Sequence, residues 1–162
     1  MVATNKMASE RPQQIRAPFW VRTLFNPLAK LILGSPLHGV MSQRLLLITF
    51  TGRKTGRRFT TPISYLREGN VLTLGVGGSW WKNLRDGGQI QVRLRGRKRT
   101  GVTEVVTDEA SMYEAYQVIL AHNPTQARFM GITMDADGRP NPGALRQALR
   151  RRSAVVRIRL TD

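Results

Sequence analysis

The chain has no cysteine and only two histidines, His38 and His122, among 162 residues. Without cysteine there are no disulfides, thiolate metal sites or cysteine nucleophiles, and the absence fits a reducing cytosol. Two histidines and ten scattered carboxylates also argue against a metal cluster. No Ser-His-Asp or paired-carboxylate pattern stands out, which disfavours hydrolysis. Acidic groups are themselves scarce: ten Asp and Glu stand against 26 Lys and Arg, for a net charge of +16. Such a field favours anionic partners, whether nucleic acid, acidic lipid or a polyanionic cofactor.

Long hydrophobic runs are missing too. The nearest, FWVRTLFNPLAKLIL over 19–33, is interrupted by Arg22, Asn26, Pro27 and Lys30. It falls short of the roughly 20 residues that cross a bilayer. The GSPLHGV behind it is a poor cleavage site for a signal peptide. The segment reads as an amphipathic helix over 18–33, with Trp20, Leu24, Leu28 and Leu31 on one face. It packs on the core or, with Arg16, Arg22 and Lys30 outward, touches an anionic membrane from the cytoplasmic side. Residues 1–17 are polar and read as a flexible tail, leaving 18–162 as a single domain.

What is present is β periodicity. RLLLITFT (44–51) and TTPISYL (60–66) are strand runs, and REGN turns the chain into VLTLGV (71–76), giving a hairpin of the second and third strands. GGSWWKNLRDGG (77–88) breaks the pattern with a short helical segment before paired glycines. QIQVRLRG (89–96) alternates Ile90, Val92 and Leu94 with Gln91, Arg93 and Arg95, and 97–106 continues as its antiparallel partner. DEASMYEAYQVILAH is a helix with an acidic start, 133–143 is loop, ALRQALRRR is a short helix, and AVVRIRL (154–160) is a last alternating strand. About six strands with flanking helices define a mainly β, α+β domain. Its strands should curl into a small antiparallel barrel.

One turn is unusual. TFTGRKTGRRFTTP (49–62) places Arg53, Lys54, Arg57 and Arg58 within six positions. It is not a phosphate loop of the Gly-Lys-Ser/Thr kind, because Gly56 is followed by Arg57 and then a strand. Converging glycine N–H groups, arginine forks and the hydroxyls of Thr55, Thr60 and Thr61 nevertheless make an anion site; the alternative is a solvated hairpin tip. GVGGSWW (75–81) is a second such stretch: paired glycines admit a flat ligand and adjacent tryptophans offer a wall, or pack into the core. Arg93, Arg95, Arg97, Lys98 and Arg99 form another basic run, and Arg150, Arg151 and Arg152 with Arg157 and Arg159 a third. Those strands carry no exposed stacking aromatics, so a nucleic-acid partner is disfavoured.

Taken in order, GRKTG, TTP, the tyrosine, the paired glycines and W-x-x-N-L resemble the deazaflavin-dependent nitroreductase family over about 38–120. Those proteins are split β-barrels, FMN-binding-like in fold, that use the deazaflavin coenzyme F-420. The resemblance implies that Arg53, Lys54, Thr55, Gly56 and Arg58, with Thr60, Thr61 and Pro62, hold the coenzyme's phosphate and acidic tail. It further implies that the backbone of Leu74, Gly75, Val76, Gly77, Gly78 and Ser79 lies along the ring, with Trp80, Lys82 and Asn83 beside it. Two features depart from the family: Ser79 alone separates the paired glycines from the tryptophan, and 122–152 looks inserted. The expected activity is hydride transfer from the reduced coenzyme to a quinone, activated alkene or nitro compound. Tyr65, Tyr113 and Tyr116 are candidate substrate-side donors, each alternatively a core side chain. FMN or FAD is the second choice of cofactor. A non-catalytic binder of fatty acid or haem is the alternative function, and a homodimer is the expected assembly if one forms.

Overall fold

The computed structural model describes residues 44–85, 87–150 and 153–161. The tail expected over 1–17 and the helix expected over 18–33 lie outside the described residues. Among the described residues no helix is long and apolar enough to cross a membrane.

Alternation in the sequence becomes a seven-stranded antiparallel sheet. In chain order the strands are β1 (Leu45–Thr51), β2 (Arg58–Ser64), β3 (Leu66–Glu68), β4 (Val71–Val76), β5 (Gln89–Leu94), β6 (Arg97–Val106) and β7 (Ala154–Leu160). A 3-10 turn, Trp80–Leu84, joins β4 to β5. Three helices fill the β6–β7 connection: α1 (Glu109–His122), α2 (Pro124–Met130) and α3 (Pro142–Leu149). The spatial order is β2-β1-β5-β6-β7-β4-β3. The sheet curls until β2 approaches β4, making a split half-barrel flanked by helices.

The inner face closes on Leu46, Ile48, Leu72, Leu74, Val76, Val92, Val156 and Ile158. A second core lies between the sheet and the helices, where Met112, Tyr116, Ile119, Leu120, Leu145 and Leu149 pack with Val155. β7 is therefore buried on both faces, which is why AVV runs without a polar break.

Two expectations need correction. The run 60–66 is not one strand that pairs with 71–76. The chain bends at buried Tyr65, so β2 pairs with β1, and the hairpin over Gly69 and Asn70 joins β3 to β4. Seven strands replace six for that reason. The second correction is α2, in a region where no helix was expected. Its signals are local: Pro124 at the first turn and Gly131 in the left-handed conformation at the end.

Candidate active site: a cationic cleft at the open end of the barrel

β1 and β5 pair only over Leu47–Thr49 and Gln91–Arg93. Beyond Thr49, β1 continues with β2 alone, while Gln89 and Ile90 pair with β6 alone. The two strands splay, and a cleft of about 700 Å³ opens between them. Its wall includes Thr49, Thr51, Arg53, Arg58, Asn83 and Gln91. A smaller recess of about 460 Å³ shares Thr49, Arg58 and Gln91, and adds Thr60, Arg93 and Lys98.

The basic segment 52–57 is a hairpin loop closed by its own backbone. Gly52 N–H donates to Arg57 O (2.8 Å) and Gly56 N–H to Gly52 O (2.9 Å). Gly56 sits at φ +65, a conformation open to glycine at little cost. The loop is also tied to the 3-10 turn. Arg53 N–H donates to Asn83 Oδ1 (3.0 Å), and Asn83 Nδ2 donates to Trp80 O (2.8 Å). Arg58 Nη2 reaches Gln91 Oε1 at 3.2 Å, which turns its guanidinium across the sheet face. Thr49 and Thr60 place their hydroxyls 2.9 Å apart on the same face.

Of the sequence-selected residues, the cleft gathers Arg53, Arg58 and Asn83, with Thr60 in the adjoining recess. Lys54, Thr55 and Gly56 form the exposed loop tip. Thr61 and Pro62 lie opposite Ile48 and Leu47 in the body of β2; as an edge strand, β2 tolerates a proline. Leu74 and Val76 have their side chains fully inside the barrel, so only their backbone could meet a ligand. Gly75 faces the helices, and exposed Gly77, Gly78 and Ser79 lead out to the 3-10 turn. The two tryptophans do not form one wall. Trp80 stacks on Phe50 at 5.1 Å, whereas Trp81 is buried, with Lys82 Nζ and the Arg85 guanidinium over its ring.

The three tyrosines do not converge. Tyr65 is buried in the barrel core, and Tyr113 lies under the Arg146 guanidinium. Tyr116 sits in the helical core, where its hydroxyl donates to Ala154 O and burial pushes its ionisation well above the ordinary range. Sequence reasoning missed Thr49, Gln91 and Thr103 as lining residues. Gln91 carried a signal, since it points outward on the alternating β5.

The class that the fold and site define is an antiparallel split barrel with a cation-lined cleft suited to an anionic ligand. The chain belongs to the F420H(2)-dependent quinone reductase family, whose pattern matches residues 29–135, about two thirds of its length. It is a reductase, and its cofactor is the deazaflavin coenzyme F-420. Solved structures show the same fold. An F420-H2 Dependent Reductase (FDR-A) superposes with a TM-score of 0.50 at 14% identity, covering 72% of this chain and 94% of that one. A protein solved as a domain-swapped dimer gives 0.50 at 16% identity, covering 86% and 96%. The Agrobacterium tumefaciens protein Atu2129, of unknown function, gives 0.51 at 13% identity, covering 80% and 56%.

The residues present fit the cofactor. The guanidinium groups of Arg53 and Arg58 and the threonine hydroxyls are donors, whereas the N–H groups of Gly52, Arg53 and Gly56 are spent on partners within the protein rather than converging on an anion, and no carboxylate stands among the described lining residues. That donor set suits a phosphodiester.

Proposed function

We propose that the protein transfers hydride from reduced coenzyme F-420 to a quinone, an activated alkene or a nitro compound in the cytoplasm. The carrying observation is the cleft between the splayed ends of β1 and β5, with Arg53 and Arg58 on its wall and Asn83 tying loop to turn. When bound, the reduced coenzyme supplies the hydride. The chain's own residues supply position. Arg53, Lys54 and Arg58, with Thr55, Gly56 and Thr60, hold the phosphate and acidic tail. Thr61 and Pro62 back them from β2. The backbone of Leu74–Ser79 holds the ring, with Trp80, Lys82 and Asn83 at its border. Trp80, stacked on Phe50, shields that side from water.

Tyr65, Tyr113 and Tyr116 are the candidate substrate-side donors, and the Tyr116 hydroxyl would have to leave Ala154 O to act. A homodimer is the proposed assembly, supported by the domain-swapped protein of like fold.

The test is a titration of wild type and the Lys54→Ala/Arg58→Ala variant with two ligands. Against the whole coenzyme the variant should bind about 2–5 kcal/mol more weakly, since a charge-assisted hydrogen bond contributes roughly 1.5–3 kcal/mol. Against a deazaflavin lacking phosphate and tail, the two proteins should bind alike. Equal affinity for the whole coenzyme would mean that the turn is a solvated tip. Turnover with a quinone, an enone and a nitroarene in parallel then ranks the acceptors.

A further inference from the structure

β3 is only three residues long, and its last pair with β4 is Leu66 with Thr73. From Leu74 to Val76, β4 has β7 on one side and, among the described residues, no strand on the other. Across that gap stands the end of β2, the opposite edge of the sheet. This is the seam of the split barrel. Unpaired backbone at such an edge needs other partners.

One side chain bridges it. Gln126, on α2, accepts from Ser64 Oγ at 2.9 Å and donates through Nε2 to Gly75 O at 3.3 Å. A carbonyl can only accept, so the Gly75 contact fixes which end of the amide is nitrogen. Ser64 is the last residue of β2 and Gly75 lies in the part of β4 that pairs with β7 but not with β3, so both ends of one amide join the two edges. Gly75 itself makes room for the bridge. A Cβ there would stand 2.7 Å from Gln126 Nε2 and 3.0 Å from the Tyr116 ring. Beyond Gly75 the chain becomes exposed at Gly77, Gly78 and Ser79, with Gly78 at φ +85 and, among the described residues, open space where a Cβ would stand at either glycine. The stretch is tied at its two ends: Gly75 behind and the Asn83-braced 3-10 turn ahead.

We infer that Gln126 is a positioning residue: its amide sets the seam between β2 and β4 and so holds Gly75–Ser79 where the deazaflavin ring lies. The inference rests on the proposed placement of the ring along that backbone. It gives a role to α2, which lies within the residues that the family pattern matches.

The test uses the full chain with Gln126→Met, which keeps length but removes donor and acceptor, and Ser64→Ala, which removes one of the two contacts. Gln147→Met, on the exposed face of α3, is the control. The first readout is amide hydrogen exchange over 75–79 in the ligand-free protein. Gln126→Met should speed it about tenfold and Ser64→Ala less, with Gln147→Met unchanged. The second is affinity for the deazaflavin lacking phosphate and tail. Gln126→Met should weaken it about tenfold, the scale of one to two lost hydrogen bonds, and weaken the whole coenzyme by the same factor. Unchanged exchange over 75–79 overturns the bridge itself. Faster exchange with undiminished affinity for the tail-less ligand overturns its role in holding the ring. Gly78→Val separates the two readings: if it too leaves tail-less binding intact, the ring does not lie on this backbone, and the ring-site reading falls with the inference. Loss confined to the tail-bearing coenzyme likewise counts against it, because that pattern belongs to the basic loop.

Discussion

Asn83 holds two backbones with one amide, and neither contact depends on the charge of the loop it restrains. Its Oδ1 takes the N–H of Arg53, not the guanidinium, so the loop's pose and the loop's charge are separable. Asn83→Asp should retain the acceptor for Arg53 N–H but set a carboxylate oxygen against Trp80 O. Asn83→Ala loses both bonds. The expected outcome is a stability loss of about 1–2 kcal/mol in denaturant titration. Affinity for the whole coenzyme should fall severalfold, although every cation remains. An Asn83→Ala variant with native affinity would show that the loop needs no brace. Elsewhere, Asp108 caps α1 by accepting from Ser111 N–H, and that bond holds its carboxyl below the ordinary value of 3.8. A depressed folded-state pKa makes the contribution complete above the unfolded value and lost as pH falls through the folded one. Asp108→Asn should therefore flatten only the acid limb of a stability-pH curve, below about pH 4.

At the scale of elements, the alternating strands were the most legible. β5 and the 156–160 end of β7 follow period-two patterns that match their burial, whereas β6 exposes Val102 and buries Thr103, and Arg95 with Gly96 supplies the two-residue turn between β5 and β6, both at positive φ. β2 and β3 were not legible as two strands, because the bend comes from burying Tyr65, a tertiary event with no glycine or proline at the break. The site divides the same way. Arg53 and Arg58 stand out because like charge crowds a turn. Gln126 cannot be seen, since its partners lie 62 and 51 residues away and nothing local marks it. Leu74 and Val76 were selected for their backbone alone, and their side chains are barrel core. A core position has its own test: Leu74→Ala should cost about 2–5 kcal/mol by leaving a cavity. Among the helices, Asn141 caps α3 by accepting from Ala144 N–H. Asn141→Ala should cost about 1 kcal/mol in a thermal melt, with coenzyme affinity unchanged.

For the whole molecule, a net charge of +16 acts beyond any one contact. The whole coenzyme should bind more weakly as salt rises, whereas the tail-less deazaflavin should be nearly indifferent to it. Random duplex DNA should bind weakly and dissociate by moderate ionic strength; a sequence-preferring complex that survives physiological salt would contradict the reading of the basic strands as solvated faces.

β7 carries a consequence for how the protein is made. Its register joins β6 on one side and β4 on the other, and its two faces belong to the two cores: Val156 and Ile158 inside the barrel, Val155 under the helices. During synthesis, both halves of the fold must therefore wait for 154–160 to leave the ribosome. Up to that point the nascent chain presents open apolar faces of β4 and α1 and two unpaired strand edges, a state prone to association and suited to chaperone capture. A stall-release experiment on ribosome-bound chains should register no folding force until Leu160 has cleared the exit tunnel; an earlier signal would show that the β1–β6 sheet stands without its last strand.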